Sequence, residues 1–228
     1  MEQASQQPRS RIVTNLANLV SVLGVLPICL LFLDDGYRYL IPLILFNNVM
    51  DDLDGIIATK LHIRSTFGAA LDNVCDAVSH IVFVLAVGMH YGGICAAISL
   101  LPATAILLRV VSRVVGEGPD KAGSPTNELV RHMLFTLLLA ETFEIGAPGI
   151  LAIVFVLHSA TLLVPFRMPG LLRGMARSTT AVALINVALV GAWLMPHAAP
   201  VIAAAFVGTY LYGLVVGGYV WLRAVPAT

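Results

Sequence analysis

Residues 47–80 read NNVMDDLDGIIATKLHIRSTFGAALDNVCDAVSH, and this stretch holds five aspartates in a chain that is otherwise mostly apolar. Hydrophobic residues make up 58% of the 228 positions, and charged residues make up only 11%. A soluble domain has about half apolar and about a quarter charged residues, so the composition predicts an all-α integral membrane protein. The formal net charge is zero, which gives no indication of a nucleic-acid partner.

Apolar runs long enough to cross a membrane recur along the whole chain. A spanning helix needs about 20 apolar residues. Runs of about this length, separated by Gly, Pro and charged residues, predict a helical bundle with eight spans in one domain over residues 1–228. The predicted spans lie near 12–33, 38–60, 69–91, 93–115, 128–143, 147–166, 179–197 and 200–223.

Basic residues fall almost entirely on one side of these spans. Of the 13 Lys and Arg residues, only Arg38 lies on the opposite side. Because cytoplasmic loops carry an excess of Lys and Arg, this distribution predicts that both termini lie in the cytoplasm. We expect residues 1–11 to be a short cytoplasmic tail and the chain to lie in the plasma (inner) membrane.

Four of the five aspartates share helix faces in two pairs. Asp51 and Asp54 are three residues apart, and Asp72 and Asp76 are four apart. A short turn over 62–66 makes the two helices antiparallel neighbours, so both pairs converge at the cytoplasmic mouth of the bundle. An aspartate inside a span costs roughly 2.5–3.5 kcal/mol. Converging carboxylates therefore predict bound divalent cations, Mg²⁺ or Mn²⁺, that bridge to a substrate phosphate.

Small residues accompany the aspartates: Gly55, Ala58, Gly68 and Ala69. Side chains of this size let a bulky ligand lie directly against the helix backbones. The pattern therefore predicts a metal–pyrophosphate site at a membrane surface. Any one of these aspartates taken alone is equally typical of a solvated helix cap. Asp52 points away from the shared face, and the pattern assigns it no role.

The same stretch resembles the signature of the CDP-alcohol phosphotransferase (CDP-alcohol phosphatidyltransferase) family, D-x-x-D-G-x-x-A-R-x8-G-x-x-x-D-x-x-x-D. Seven of its eight fixed residues are present at the same spacing: Asp51, Asp54, Gly55, Ala58, Gly68, Asp72 and Asp76. Where the signature has Arg, this chain has Thr59, followed by Lys60. Arg and Lys bind phosphate differently, so this departure predicts altered nucleotide binding unless Lys60 or Arg64 supplies the cation. A catalytically weakened homologue is the alternative.

The resemblance implies a six-helix catalytic core that transfers the phosphatidyl group of CDP-diacylglycerol to a hydroxyl acceptor and releases CMP. It implies two divalent metals held by four carboxylates, one of which is also the general base, and it implies a homodimer. The metal ligands would be Asp51, Asp54, Asp72 and Asp76, with Asp76 as the base, and the nucleotide-binding residues would be Gly55, Ala58, Thr59 and Gly68. Candidates for phosphate or acceptor binding are Lys60, Arg64, Arg109 and Arg113, although the last two suit contact with anionic lipid headgroups equally well.

The acceptor depends on segments outside the signature. The stretch GSPT (123–126) looks like the G-x-P-[ST] stretch of phosphatidylserine synthases, and LLVPFRMPG (162–170) is similar to a basic, proline-bearing loop of that branch. Two extra C-terminal helices at about 179–223 fit the same branch, and they fit phosphatidylcholine synthases too. These cues favour serine, but glycerol phosphate, another small alcohol and a second lipid stay open as acceptors. The Gly and Pro residues of both stretches are equally typical of ordinary loops.

A small cation or proton transporter is the alternative from another functional class, since aspartates in spans also mark ion pathways. A transporter would carry polar residues at mid-membrane in several spans. Here the acids cluster on two adjacent helices, and the later spans are almost free of charge. We therefore expect an enzyme, with His80 and His158 as solitary, buried and hydrogen-bonded histidines and not as members of a proton relay. In the last span, Gly213 and Gly217 form a G-x-x-x-G motif typical of close helix packing.

Overall fold

The structure is a computed structural model that describes residues 13, 15–115, 122–169 and 179–224. Helices make up most of these residues. Within these ranges each of the eight predicted spans falls on a helix. The helices are α1 (Leu16–Val25), α2 (Leu40–Lys60), α3 (Thr66–Tyr91), α4 (Gly93–Val115), α5 (Thr126–Thr142), α6 (Ala147–Leu162), α7 (Thr179–Leu194) and α8 (Ala199–Ala224). The predicted tail over 1–11 and the basic residues Lys121, Arg173 and Arg177 lie outside the described residues.

The apolar helices confirm the prediction of an all-α membrane protein. Helices α3, α4 and α8 are long and apolar enough to cross a membrane, and α1 with its continuation, α6 and α7 are shorter apolar helices. Large aliphatic side chains such as Leu100 and Val215 are exposed on the outside of the bundle, as a lipid-facing surface requires. The polar residues of the site described below lie mainly on α2, α3 and α5.

Proline and glycine determine several helix ends. Pro27 begins a 3-10 helix over Leu26–Phe32 that continues α1, since proline lacks the N–H that an α-helix needs there. The sixth helix ends at Leu162, four residues before the predicted end, because the residue before a proline avoids the α conformation and Pro165 follows closely. Between α3 and α4, Gly92 and Gly93 have φ values of 67° and 50°, which reverses the chain in two residues.

The turn between α2 and α3 places the two aspartate-bearing helix ends side by side. His62 in this turn has a positive φ of 52°. Ser65 caps α3, and its side chain accepts a hydrogen bond from the Gly68 backbone N–H at 2.9 Å. The end of α2 and the start of α3 are therefore fixed as antiparallel neighbours, as the sequence predicts.

The core lies between α3, α4, α5 and α6. Its largest fully buried side chains include Phe83, Ile106, Met133 and Phe155, one from each of these helices. Helix α5 is the most enclosed, with ten buried residues among its 17. Hydrogen bonds from Asn127 to Asp51 and from Arg131 to Asn48 join the first two turns of α5 to α2, next to the aspartates.

The two glycines of the G-x-x-x-G motif pack within the chain. A Cβ on Gly213 would lie 2.8 Å from the Pro169 carbonyl oxygen, and one on Gly217 would lie 2.6 Å from the Arg167 carbonyl oxygen. The close approach is therefore between α8 and the backbone that follows α6. In the described residues this is a contact with an extended segment and not with another helix.

Candidate active site

Three carboxylates from α2 and α3 converge at one end of the bundle. Oxygen atoms of Asp51, Asp72 and Asp76 all lie within 4.8 Å of one another. Asp51 comes from the last half of α2, whereas Asp72 and Asp76 lie one turn apart on the first half of α3. We call these three residues the carboxylate cluster, and their convergence is the arrangement that the two spacings predict.

The donor set of the carboxylate cluster fits a hard divalent cation. Within the described part of the chain, the only ion pair is Arg131–Glu128, so no cationic side chain neutralises the cluster by direct contact. Arg113 on α4 is near enough to act electrostatically on Asp72 and Asp76, but its guanidinium donates to Asn73 Oδ1 at 3.2 Å. Because carboxylate oxygens are the ligands that Mg²⁺ and Mn²⁺ prefer, the cluster can hold such an ion.

The fourth aspartate, Asp54, lies beside the carboxylate cluster and not within it. It is 6% exposed, and its Oδ2 accepts a short hydrogen bond from Ser21 Oγ on α1. Asp54 and Asp72 both line a neighbouring cavity. The structure therefore brings three of the four predicted metal ligands together and puts the fourth at the cavity wall.

That cavity has a volume of about 300 Å³ and is enclosed by α1, α2 and α3. Three small residues that the signature predicts at a nucleotide site belong to its wall. The lining consists of Ala17, Asn18, Ser21, Asp54, Gly55, Ala58, Ile63, Arg64, Ser65, Gly68, Ala69 and Asp72. A Cβ added at Gly55 would meet nothing within 4 Å, so the glycine leaves open space at the cavity wall.

Arg64 is joined to the residue that replaces the signature arginine. Its Nη2 donates to Thr59 Oγ1 at 2.7 Å, and Thr59 Oγ1 in turn donates to the Gly55 carbonyl oxygen at 2.6 Å. Arg64 lines the cavity, whereas Thr59 and Lys60 do not. Arg64, which follows the α2–α3 turn, therefore contributes a cationic residue to the cavity wall.

The two arginines of α4 have different surroundings. Arg109 is 4% exposed, and its Nη1 donates to the carbonyl oxygens of Ala122 and Leu162 at 2.6 and 3.1 Å. These bonds tie the segment before α5 to the end of α6. Arg113, one turn later, is the one whose charge acts on the carboxylate cluster. The two arginines, which the sequence offers together as candidates for phosphate, acceptor or headgroup binding, thus have different partners in the structure.

Several polar residues of the site have no counterpart in the sequence prediction. Asn127 Nδ2 on α5 donates to Asp51 Oδ2 at 2.7 Å. Asp52, for which the sequence predicts no role, accepts from Asn186 Nδ2 on α7 at 2.6 Å, and Asn48 Nδ2 donates to Asn186 Oδ1 at 2.8 Å. Asn48 and Asn186 adjoin or interrupt apolar runs, which was the signal available in the sequence, whereas Asn127 lies in a polar stretch and carries no such signal.

His158 has a buried histidine partner. His132 Nδ1 lies 2.9 Å from His158 Nε2, and the Tyr210 ring packs against both rings with centroids 5.0 and 4.7 Å apart. The Tyr210 hydroxyl is also 2.5 Å from Thr161 Oγ1. The prediction of a solitary histidine is therefore wrong at this position, because residues from three helices form one polar group in the core.

The fold and the site together define a membrane-embedded helical protein with a carboxylate site for a metal ion beside a ligand-sized cavity. A family model described as CDP-alcohol phosphatidyltransferase matches residues 13–210, which is well over half of the chain. A search of curated proteins gave no match. The chain belongs to the CDP-alcohol phosphatidyltransferase family. It is accordingly a transferase of substituted phosphate groups in phospholipid synthesis, with a CDP-alcohol and an alcohol acceptor as substrates in a membrane.

Proposed function

We propose that this chain transfers the phosphatidyl group of CDP-diacylglycerol to the hydroxyl group of serine and releases CMP. The observation that carries the proposal is the convergence of Asp51, Asp72 and Asp76 within 4.8 Å beside a cavity of about 300 Å³. The family supplies the reaction class, and the cavity has room for a nucleotide's phosphates next to the carboxylates.

We further propose that the whole chain, 1–228, is one domain.

Two ions, Mg²⁺ or Mn²⁺, would be held by Asp51, Asp54, Asp72 and Asp76. Bound there, they neutralise charge on the pyrophosphate and on the departing CMP. Asp76 takes the proton from the acceptor hydroxyl as its oxygen bonds to phosphorus and the phosphorus–oxygen bond to CMP breaks. Asp76 lies next to Asp51 and Asp72, so the proposed base is beside the proposed metal ligands.

The nucleotide would occupy the cavity between α1, α2 and α3. Gly55, Ala58 and Gly68 give it a wall without bulky side chains. Arg64 reaches this cavity while bonded to Thr59, so we propose that Arg64 supplies the phosphate-binding cation that the signature places at position 59. Lys60 is exposed and lies outside the cavity wall, which makes it the weaker candidate.

Serine as acceptor is supported by two segments that contact each other. The Gly123 backbone N–H donates to the Phe166 carbonyl oxygen and the Ser124 N–H to that of Thr161, both at 2.9 Å. The stretch 123–126 and the described part of the stretch 162–170, both of which resemble the phosphatidylserine synthase branch, are therefore joined at the start of α5 through Phe166. Glycerol phosphate, another small alcohol and a second lipid are the competing acceptors in the test below.

We also propose that the site faces the cytoplasm of a plasma membrane. Among the described residues, Lys60, Arg64, Arg113 and Arg167 lie at the end of the bundle that carries the aspartates, whereas Arg38 lies at the other end. This distribution agrees with an excess of basic residues on the cytoplasmic side. A homodimer is proposed from the family resemblance alone, and the mass of the purified protein in detergent tests it.

The test is CMP release by the purified chain from CDP-diacylglycerol, with Mg²⁺ or Mn²⁺ and a panel of acceptors. We expect metal-dependent release with serine that Asp76→Asn abolishes. Asp34→Asn, an exposed aspartate at the opposite end of the bundle, is the matched control and should retain activity. Release that persists in Asp76→Asn, or release that is independent of metal, would contradict the proposed mechanism.

A further inference from the structure

A chain of side-chain hydrogen bonds joins α5 to α7 across α2. Arg131 Nε and Nη2 on α5 donate to Asn48 Oδ1 at 3.1 and 2.9 Å. Asn48 Nδ2 donates to Asn186 Oδ1 on α7 at 2.8 Å, and Asn186 Nδ2 donates to Asp52 Oδ2 at 2.6 Å. We call these four residues the amide network. It flanks Asp51 of the carboxylate cluster, which lies between Asn48 and Asp52 in the sequence.

The charged ends of the amide network determine how both amides are turned. An arginine only donates hydrogen bonds, and an ionised carboxylate only accepts them. Asn48 therefore turns its amide oxygen to Arg131, and Asn186 turns its amide nitrogen to Asp52. The bond that remains, from Asn48 Nδ2 to Asn186 Oδ1, then has its donor and its acceptor in the right places. Asn186 and Asp52 thus keep Asn48 Oδ1 aimed at the guanidinium.

The Arg131 guanidinium is held at this position from three helices. Asn48 on α2 accepts two of its hydrogen bonds, and Glu128 Oε1 on α5 lies 3.4 Å from Nη1. The Phe206 ring on α8 lies 5.9 Å from its Cζ, within the range of a cation–π contact. Only 12% of the Arg131 side chain is exposed. Within the described ranges this arginine forms its ion pair with Glu128 and none with Asp51.

Asp51 is the carboxylate that Arg131 would meet if Asn48 did not hold it. Asn48 and Asp51 are three apart on α2, which makes them neighbours on one helix face, with Cβ atoms about 5–6 Å apart. On α5, Arg131 lies one turn after Asn127, and Asn127 Nδ2 donates to Asp51 Oδ2 at 2.7 Å. Asp51 therefore faces α5, whereas Asp52 is bonded to Asn186 on α7. A guanidinium on Asp51 would neutralise a carboxylate that a metal ion requires.

We propose that Asn48 is a positioning residue that holds Arg131 away from Asp51, so that the carboxylate cluster keeps its negative charge for a divalent cation. Asn186 and Asp52 support this role by orienting the Asn48 amide. The role rests on the metal site of the proposed function. It also gives α7, one of the two helices beyond the six-helix core that the resemblance implies, a contact that acts on the site.

The test is the binding of Mn²⁺ to the purified full chain in detergent, measured by electron paramagnetic resonance of the free ion and without turnover. Asn48→Ala should raise the dissociation constant for Mn²⁺ about tenfold, because the released guanidinium gains a charged hydrogen-bond partner in Asp51. Asn186→Leu leaves the Asn48 acceptor in place but without its orienting partner, so the rise should be smaller, roughly two- to fivefold.

Removal of the cation distinguishes this role from ordinary packing. Asn48→Ala combined with Arg131→Gln should restore the dissociation constant to within about twofold of wild type, because no guanidinium is left to bind Asp51. Arg131→Gln alone should bind Mn²⁺ at least as tightly as wild type. If Asn48 only supported the packing of α2, the second substitution would add to the loss and would not reverse it.

Asn47→Ala is the matched control. Asn47 is the neighbouring asparagine on α2, is 5% exposed, and donates to Ser79 Oγ on α3 at 3.0 Å. Any loss of Mn²⁺ binding in Asn47→Ala should persist when Arg131→Gln is added. Asn48→Leu, which keeps the side-chain volume, replaces Asn48→Ala if the alanine variant does not purify as a folded protein.

The outcomes separate this inference from the proposed function. An unchanged dissociation constant in a folded Asn48 variant, or a loss that Arg131→Gln does not reverse, overturns the positioning role. Both results leave phosphatidyl transfer intact as long as the wild-type chain binds Mn²⁺ and releases CMP. A wild-type chain that binds no Mn²⁺, with or without CDP, contradicts the proposed metal site, and the positioning role fails with it.

Discussion

Replacing Arg64 with alanine should weaken nucleotide binding, because Arg64 is the cation that lines the cavity beside Asp54 and Asp72. The signature arginine is absent at position 59, and Thr59 Oγ1 instead accepts a hydrogen bond from Arg64 Nη2 at 2.7 Å. Thr59 is itself fixed by its bond to the Gly55 carbonyl oxygen at 2.6 Å. Thr59 thus holds a guanidinium that comes from the α2–α3 turn.

The size of the effect follows from the kind of bond that is lost. A hydrogen bond to a charged group contributes about 1.5–3 kcal/mol. Arg64 is exposed, so the lower end applies, and about 1.4 kcal/mol corresponds to a factor of ten in affinity. Arg64→Ala should therefore raise the dissociation constant for CDP and the KM for CDP-diacylglycerol about tenfold. Thr59→Val removes only the anchor, at about 0.5–1 kcal/mol, and should raise both constants roughly two- to fivefold.

A double-mutant cycle tests the anchoring directly. Since Thr59 acts through Arg64, Thr59→Val should have no further effect in the Arg64→Ala background. Thr59→Arg in that same background restores an arginine at the signature position and should recover most of the lost affinity. Arg64→Lys should recover less, because an ammonium does not bind phosphate in a bidentate way.

Calorimetry with CDP and Mg²⁺, together with KM values for CDP-diacylglycerol in mixed micelles, provides the measurement. Arg38→Ala, at the opposite end of the bundle, is the charge-matched control. An unchanged dissociation constant in Arg64→Ala, or a larger loss in Lys60→Ala, would refute the assignment. Additive effects of Thr59→Val and Arg64→Ala would show that Thr59 does not act through Arg64.

Two further substitutions test the supports of the site and of the fold. Ser21→Ala removes the hydroxyl that donates to Asp54 and should raise the Mg²⁺ concentration for half-maximal activity about tenfold or more. Ser21→Thr keeps the donor and serves as its control. Equal metal dependence of the two variants would contradict this prediction. Gly217→Ala would put a Cβ 2.6 Å from the Arg167 carbonyl oxygen and should cost about 1–3 kcal/mol of stability. Gly208→Ala on the same helix has open space around it and should gain up to about 1 kcal/mol. Thermal unfolding in detergent should separate the two variants, and equal unfolding midpoints would refute the close packing of Gly217.

The carboxylate cluster was predictable because its geometry is mostly local. The pair spacing on α3 sets which side chains share a helix face, and the turn over 62–66 brings α2 and α3 together. Helix periodicity and one short turn thus determine where Asp51, Asp72 and Asp76 meet. The span positions follow from hydropathy for the same reason, with errors where Pro27 and Pro165 change the backbone.

The supporting residues were not predictable, because their partners are distant in sequence. Asn127 meets Asp51 across 76 positions, and Ser21 meets Asp54 across 33. Such contacts depend on the rotation of α1 and α5 about their axes, and apolar periodicity is weak in helices surrounded by lipid and other helices. Arg109 shows the same limit, since only the packing of α4 shows that it binds two backbone carbonyls instead of a ligand.

Asp72 and Asp51 of the carboxylate cluster have different neighbours. Asp72 borders the cavity between α1, α2 and α3, where the nucleotide is proposed to bind. Asp51 borders α5 through Asn127, and the start of α5 carries one of the segments on which the serine proposal rests. Phosphoryl transfer proceeds with the attacking and leaving oxygens roughly in line, so the proposed reaction requires the nucleotide and the acceptor to approach phosphorus from different sides. We infer that α1 and α5 pack against the aspartate helices to keep the leaving nucleotide and the entering alcohol apart.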